Sequence, residues 1–198
     1  MLAIIDCDQN SPEWYEARRG IITASAFKDV MAGGDGSVRR KYMMKLVGEI
    51  ITGDLAENFS NGYTRRGHDL ESDAVGTYEH LTGNKTEKIG FMRSFPYGCS
   101  PDRLVGDDGM LEIKTKGAHE QAELLLRDRV PTKHIAQLQG GMLVSGRKWN
   151  DFVSYCPKMP LFYQRVMRDD KYIMDMVVKL AAFEKEMRKM VEKITGKF

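Results

Sequence analysis

From residue 11 to about residue 82 the apolar positions recur every three or four residues, the period of helices with one buried face. SPEWYEARRG offers Ser11 as N-cap, Pro12 at the first helical position and Gly20 as the stop. TASAFKDVMAGG repeats the arrangement, with Thr23 or Ser25 as cap and Gly33-Gly34 as terminator. Over 38–52, Tyr42, Met43, Leu46, Val47, Ile50 and Ile51 form a stripe closed by Gly53, with Met43 and Met44 expected in the core. DLAENFSNGYTRRG is polar, carries Asn61-Gly62 and reads as a loop. A fourth helix is expected from about His68 to Leu81, stopping at Gly83, with Leu70, Ala74, Tyr78 and Leu81 on one side.

Beyond Gly83 the period shortens. IGFMRSF, GCSPDRLV and MLEIKTK are short strand-like runs, and GDDG between the last two marks a hairpin turn. Helical spacing returns over about residues 118–126 and 133–144. WNDFVSYC and LFYQRVM read as two further strands joined by the turn PKMP. A long helix from about Asp170 carries Ile173, Met176, Leu180, Phe183, Met187, Met190 and Ile194 at alternating steps of three and four. It is expected to pack on the domain, and next on a neighbouring subunit or partner. This order predicts an α/β (α+β) domain with a central mixed β-sheet flanked by helices.

Composition narrows the class. The 198 residues are 42% hydrophobic and 29% charged, as in an ordinary globular protein, and suffice for one core, so a single domain over 1–198 is expected. No apolar run approaches the roughly 20 residues that cross a bilayer, and MLAIIDCDQN lacks the regions of a signal peptide. Cys7, Cys99 and Cys156 are widely spaced, which suits reduced cytosolic thiols better than disulfides or a zinc site. A net charge of +2 does not announce a nucleic-acid binder. Basic residues nevertheless cluster at Arg18-Arg19, Arg39-Arg40-Lys41, Arg65-Arg66 and Lys114 with Lys116. These are either solvated faces or parts of one basic surface balanced elsewhere by acids.

The stretch CSPDRLVGDDGMLEIKTKG does not fit a plain hairpin, because Asp102, Glu112 and Lys114 interrupt its apolar runs. Side chains alternate along a strand, so Glu112 and Lys114 share one side while Ile113 points into the core. The hairpin brings Asp102 within reach of Glu112. Two carboxylates beside the Ile113 carbonyl are hard oxygen donors suited to Mg²⁺ or Mn²⁺, and Lys114 can orient a water or stabilise charge on a phosphate. The competing reading is a strand with one wet face on which Glu112 and Lys114 are a solvated pair.

SPD, a hairpin and then an apolar-flanked ExK resemble the PD-(D/E)xK nuclease superfamily. RRGHDLES places Glu71 as in its RGxxxE helix, and HIAQLQGGM supplies Gln137 and Gln139 as in its QxQ element. WYEARRGIITASAF is similar to the opening of lambda-type phage recombination exonucleases. The ordered set spans residues 12 to about 155.

The resemblance implies a restriction-endonuclease-like core. It implies a Mg²⁺-dependent 5′-to-3′ exonuclease that digests one strand of double-stranded DNA processively, leaving 3′ overhangs for recombination by strand annealing. Asp102, Glu112 and the Ile113 carbonyl would hold metal, with Glu71 supporting a second ion. Lys114 would position the water with Gln139 beside it, and Arg18, Ser25 and Ser100 would take a 5′-phosphate. Arg39, Arg40, Arg65, Arg66 and Gln137 become candidate DNA contacts, and His134 is expected at a surface or helix end. The resemblance also implies a homotrimeric ring, a single-strand annealing protein as partner, no membrane, and a phage or prophage enzyme in a bacterial cytoplasm. One departure is that IGFMRSF carries no acid, leaving only the distant Glu87 for an outer carboxylate. The alternatives are an endonuclease or single-strand nuclease of the same superfamily, or a non-catalytic DNA-binding module.

Overall fold

The computed structural model describes residues 1–32, 36–55 and 62–196, without the side chains of 62–69. Strand β1 (Ala3–Ile5), unforeseen from sequence, precedes helix α1 (Pro12–Arg18), whose N-cap Ser11 accepts from the Trp14 amide. The segment expected as one helix from Thr23 is divided. Strand β2 (Ile22–Thr23) leads into a 3₁₀ turn at Ala24–Ala26, and only then does helix α2 (Phe27–Met31) begin. Ser25 therefore sits inside the 3₁₀ turn and caps nothing, while the expected Gly33-Gly34 stop lies outside the described residues. Helix α3 (Ser37–Thr52) follows its stripe and closes at Gly53, in the left-handed region at φ 73°. Met43 is buried, but Met44 is exposed, one step around the helix from the stripe.

Helix α4 (Gly62–Thr82) starts six residues before the expected His68 and takes up part of the expected loop. The rest of that loop, residues 56–61, lies outside the described residues. Strands β3 (Thr86–Glu87), β4 (Phe91–Ser94), β5 (Tyr97–Cys99), β6 (Arg103–Val105) and β7 (Gly109–Thr115) follow. Then come α5 (Ala118–Arg127), α6 (Thr132–Ser145), β8 (Trp149–Tyr155), β9 (Phe162–Met167) and α7 (Asp170–Thr195).

The expected mixed sheet is present, in the order β3-β6-β7-β8-β9, with β7 and β8 parallel and the other pairs antiparallel. Beside it lies a smaller sheet, β1-β4-β5-β2. GCSPDRLV is thus two strands in two sheets, and Ser100-Pro101-Asp102 is the bridge between them. Pro101 has no amide hydrogen to give a ladder, so the run cannot continue as one strand there. The Gln9 amide fixes the bridge by donating to the carbonyls of Ile89 and Pro101, at 3.0 and 2.9 Å.

The main sheet is covered on both faces. Ala74 and Tyr78 of α4 pack on Leu111, Ile113 and Val153, while Leu124 and Leu138 pack with Phe152 and Phe162 on the other side. Asp151 is fully buried on β8, where it accepts from Tyr78 Oη at 2.7 Å and from the Arg165 guanidinium at 2.8 and 3.0 Å. A third cluster joins α2, α3, α6 and α7, with Ile173, Met176, Leu180, Phe183 and Met187 facing inward, so the C-terminal helix packs on the domain. Each such large apolar side chain contributes about 1.5–3 kcal/mol on burial. At Gly140 a Cβ would meet the Phe27 ring at 2.4 Å, so only glycine lets α6 lie this close to α2.

Candidate active site

The hairpin register places Arg103 opposite Leu111, which sets Asp102 across from Glu112. Strand β6 begins only at Arg103, yet the Asp102 amide donates to the Leu111 carbonyl at 3.1 Å. The Asp102 side chain extends that ladder: its Oδ2 accepts from the Ile113 amide at 2.5 Å. Within a strand the N–H and C=O of one residue point the same way, so the Ile113 carbonyl faces this same edge. Lys114 projects on the Glu112 side and donates from Nζ to Glu112 Oε1 at 2.6 Å. The same oxygen accepts from Gln137 Nε2 at 2.5 Å. Among the described residues, Oδ1 of Asp102 and Oε2 of Glu112 accept no hydrogen bond.

Burial first, and the neighbouring Glu112 charge second, push the Asp102 carboxyl well above the usual carboxylate range. Lys114 and the Ile113 amide pull the other way, while Glu71 adds to the rise. Burial works against the Lys114 ammonium, but Glu112 and Asp102 outweigh it and its pKa is raised. Burial and the Glu112 charge push the Cys99 thiol up to about 12, so Cys99 offers no thiolate here. Two crowded carboxylates, a strand-edge carbonyl and no soft donor fit a hard divalent cation. No cage of three or more His, Cys, Asp or Glu side chains occurs among the described residues.

The two glutamines part company. Residues 137 and 139 lie on opposite faces of α6, because two helical steps turn about 200°. Gln137 reaches Glu112, whereas Gln139 is buried against the start of α7, donating to the Met167 carbonyl and accepting from the Asp169 amide, each at 2.9 Å. Gln139 is therefore not beside Lys114, and Gln137 takes the place expected for it.

Glu71 reaches the border of the site. Its Oε1 pairs with Arg103 Nη1 at 2.6 Å, and that nitrogen also donates to the Asp102 carbonyl at 2.5 Å. Glu71 lines an adjoining cleft with Asp8, Ser72 and Lys88, and Gln9 stands between that cleft and the carboxylate pair. Glu87 is exposed on β3 and lines neither cleft, so it does not replace the acid absent from IGFMRSF.

Arg18, Ser25 and Ser100 share one cleft of about 220 Å³ with Asp102, Glu112, Lys114 and Gln137. The Arg18 guanidinium lies 3.9 Å over the Trp14 ring and donates to Ser100 Oγ at 3.3 Å. Trp14 Nε1 donates to the same hydroxyl at 2.8 Å. No carboxylate pairs with Arg18 among the described residues. Burial lowers its pKa, although a guanidinium remains cationic. Thr23 and Ser25 hydroxyls stand 3.3 Å apart and line the same cleft. Asn150, 2% exposed, borders the same cleft with its Oδ1 accepting no hydrogen bond. Sequence reading missed Asn150, for within WNDFVSYC it is one polar residue of an alternating strand.

The other candidates whose side chains are described do not line this cleft. Arg39 pairs with Glu186 at 2.8 Å and rests over the Phe183 ring, so it clamps α3 to α7 instead of facing the cleft. Arg40 is exposed, and Arg65 and Arg66 belong to the early turns of α4, their side chains outside the described residues. His134 lies at a helix end as expected, in the first turn of α6, half-buried with its ring on Phe152 (centroids 5.1 Å apart) and its Nε2 without a partner among the described residues.

Comparison with known proteins matches residues 13–148 to the family model of the YqaJ-like viral recombinase domain. The search of curated proteins finds no match. An alkaline exonuclease from Laribacter hongkongensis, LHK-Exo, is similar at 32% identity and TM-score 0.87, over 94% of this chain and 97% of that one. Its structure in complex with dAMP is similar at 34% identity, with the same coverage and TM-score. A phage-related exonuclease from Haemophilus somnus 129PT shares the fold at 15% identity and TM-score 0.66, over 88% of this chain and 96% of that one.

Proposed function

The chain belongs to the YqaJ-like viral recombinase family, and from that premise we propose that it is a Mg²⁺-dependent exonuclease for recombination. It digests one strand of double-stranded DNA processively from the 5′ end, as a single domain, and leaves 3′ overhangs for strand annealing. The observation that carries this reading is the cleft in which a half-buried guanidinium, unpaired with any carboxylate among the described residues, stands beside two carboxylates and a lysine. Such a cation accommodates a terminal phosphate dianion, and a guanidinium can hold two of its oxygens at once.

Asp102, Glu112 and the Ile113 carbonyl would hold the cation, Mg²⁺ or Mn²⁺, with Glu71 at the border of a second position. A divalent ion there supplies Lewis-acid neutralisation of charge on the phosphate. Lys114 orients the attacking water, and Gln137 and Lys114 together fix the Glu112 carboxylate. Water oxygen bonds to phosphorus and gives up a proton, the bond to the 3′ oxygen breaks, and that oxygen takes up a proton in turn. The strand left behind then carries a new 5′-phosphate, which refills the Arg18, Ser25 and Ser100 pocket. That cycle supports processivity, as would a homotrimer ring around the DNA, which also suits a net charge of only +2. A single-strand annealing protein would take the emerging strand, in a bacterial cytoplasm.

Linear duplex labelled separately at each end, with Mg²⁺ or EDTA, tests the reading. The 5′ label should be released first, only with Mg²⁺, and covalently closed circular DNA should stay intact. Nicking of the circle marks an endonuclease, and release in EDTA removes the metal from the mechanism.

A further inference from the structure

A second cleft, of about 340 Å³, opens between α5 and α6 and begins where the catalytic strand ends. Glu112, Lys114 and Lys116 follow one another at every second residue, so their side chains emerge on one side of the same extended line. The line outlasts β7 because the Lys116 amide donates to the Tyr155 carbonyl at 3.0 Å. Lys116 is therefore about 7 Å along the chain from Lys114, and it forms one wall of the new cleft.

The cleft is lopsided in charge. Lys116, Arg127, Arg129 and Lys133 line it against Glu120 and Glu123. Glu123 is taken by Arg127 at 2.5 Å, and Glu120 lies 3.9 Å from Lys116. Arg129 and Lys133 are exposed and have no carboxylate partner among the described residues. Beneath them Leu124 and Val130 are buried, so the cations stand on a shaped apolar floor. After burial, the influences that hold the His134 ring neutral are Lys114, Lys133, Lys116 and Lys28, from β7, α6, the end of β7 and α2. A chain with a net charge of +2 thus gathers four cations in a cleft that begins two residues from Lys114. Like charges so arranged are relieved by an anion spanning both clefts.

We propose that the α5–α6 cleft binds the sugar-phosphate backbone of DNA adjacent to the phosphate being cleaved, with Lys116, Arg129 and Lys133 as its phosphate contacts. The inference rests on the nuclease reading and adds to it a second contact region on the substrate. A small free anion has the same chemistry but would not need a cleft that continues the catalytic strand.

The test is the salt dependence of binding to a 5′-phosphorylated duplex in EDTA, where no cleavage occurs. Each phosphate contact contributes about 0.9 to the slope of log K against log salt concentration. Arg129→Gln with Lys133→Gln, both on exposed positions, should reduce that slope by about 1.8. Lys179→Gln with Lys189→Gln, exposed on α7, removes the same charge and should leave the slope unchanged. Equal slopes for the two double variants, or no change in the first, overturn the proposal. So does inorganic phosphate binding that is lost in the first variant while that variant's duplex slope stays unchanged, which marks a site for a free anion. If the unaltered protein releases no nucleotide with Mg²⁺, the nuclease reading fails, while the slopes still report on the cleft.

Discussion

Gln137 on α6 and Glu112 on β7 meet at 2.5 Å, and the bond falls on the carboxylate oxygen that Lys114 also holds. A hydrogen bond to a charged group contributes about 1.5–3 kcal/mol, so losing one that orients the proposed metal ligand Glu112 should cost roughly 10- to 100-fold in turnover. Gln137→Ala should show that loss with an almost unchanged melting temperature. Gln139→Ala should do the reverse, because its amide joins the Met167 carbonyl to the Asp169 amide. Leaving those groups unpaired costs about 1–3 kcal/mol each, several degrees in Tm. Kinetics and thermal melting on both variants decide it; a Gln139→Ala protein that melts normally but has lost turnover would reverse the roles.

The carboxylate pair gives a prediction of opposite sign for stability and activity. Asp102 is held above the ordinary carboxylate range by burial and by Glu112, so its ionised form strains the metal-free fold. Asp102→Asn keeps an oxygen for the Ile113 amide and removes that charge. The variant should melt no lower than the unaltered protein without metal, lose the Mg²⁺-induced rise in Tm, and cleave at under about one-hundredth of the rate. Persistent Mg²⁺ stabilisation would show that the cation is held elsewhere.

Much of this architecture was readable because the informative residues are local. Ser11 with Pro12, the α3 stripe ending at Gly53, and the α7 steps from Ile173 to Met187 each state their element within one or two turns of chain. The hairpin across Asp107-Asp108 likewise put Asp102 near Glu112. What sequence did not contain was the partner. Gln137 and Gln139 differ only in which face of α6 meets β7, and that depends on Gly140 seating the helix on Phe27. Arg39 looked like a DNA contact until α7 supplied Glu186, a residue 147 positions away. The break at Pro101 and the splitting of TASAF into strand, 3₁₀ turn and helix are set by a second sheet whose strands are only two to four residues long. Strands that short leave no periodicity to read.

His134 predicts a pH dependence away from the catalytic groups. Burial first, then Lys114, Lys133, Lys116 and Lys28, push its pKa down to about 4. An unfolded His titrates near about 6.5, so between those values the unfolded chain binds the extra proton and stability rises with pH. The contribution is complete above about pH 6.5 and is lost as pH falls towards about 4. His134→Phe keeps a ring against Phe152 but cannot titrate, so the fall in Tm across this window should be shallower than in the unaltered protein. Parallel Tm curves for the two proteins would show that another group carries the acid sensitivity.

The last prediction concerns the end of the DNA. Arg18 is stacked on Trp14, hydrogen-bonded to Ser100, and unpaired with any carboxylate among the described residues, so its charge is available inside the cleft. Ser100 lies two residues before Asp102, in the bridge that Gln9 ties down, which would couple the proposed phosphate pocket to the proposed metal ligands. Arg18→Ala should therefore erase most of the preference for 5′-phosphorylated over 5′-hydroxyl duplex and shorten each processive run, while the Mg²⁺-induced rise in Tm persists. Arg18→Lys should recover only part of the preference, because an ammonium supplies the charge without the two-pronged grip. Trp14→Phe tests the support itself: the ring remains beneath Arg18 but Ser100 loses the indole donor at 2.8 Å, so the preference should weaken without vanishing. If Arg18→Ala leaves the end preference intact, the phosphate is read at another cation, and the Lys116 side of the site becomes the place to look.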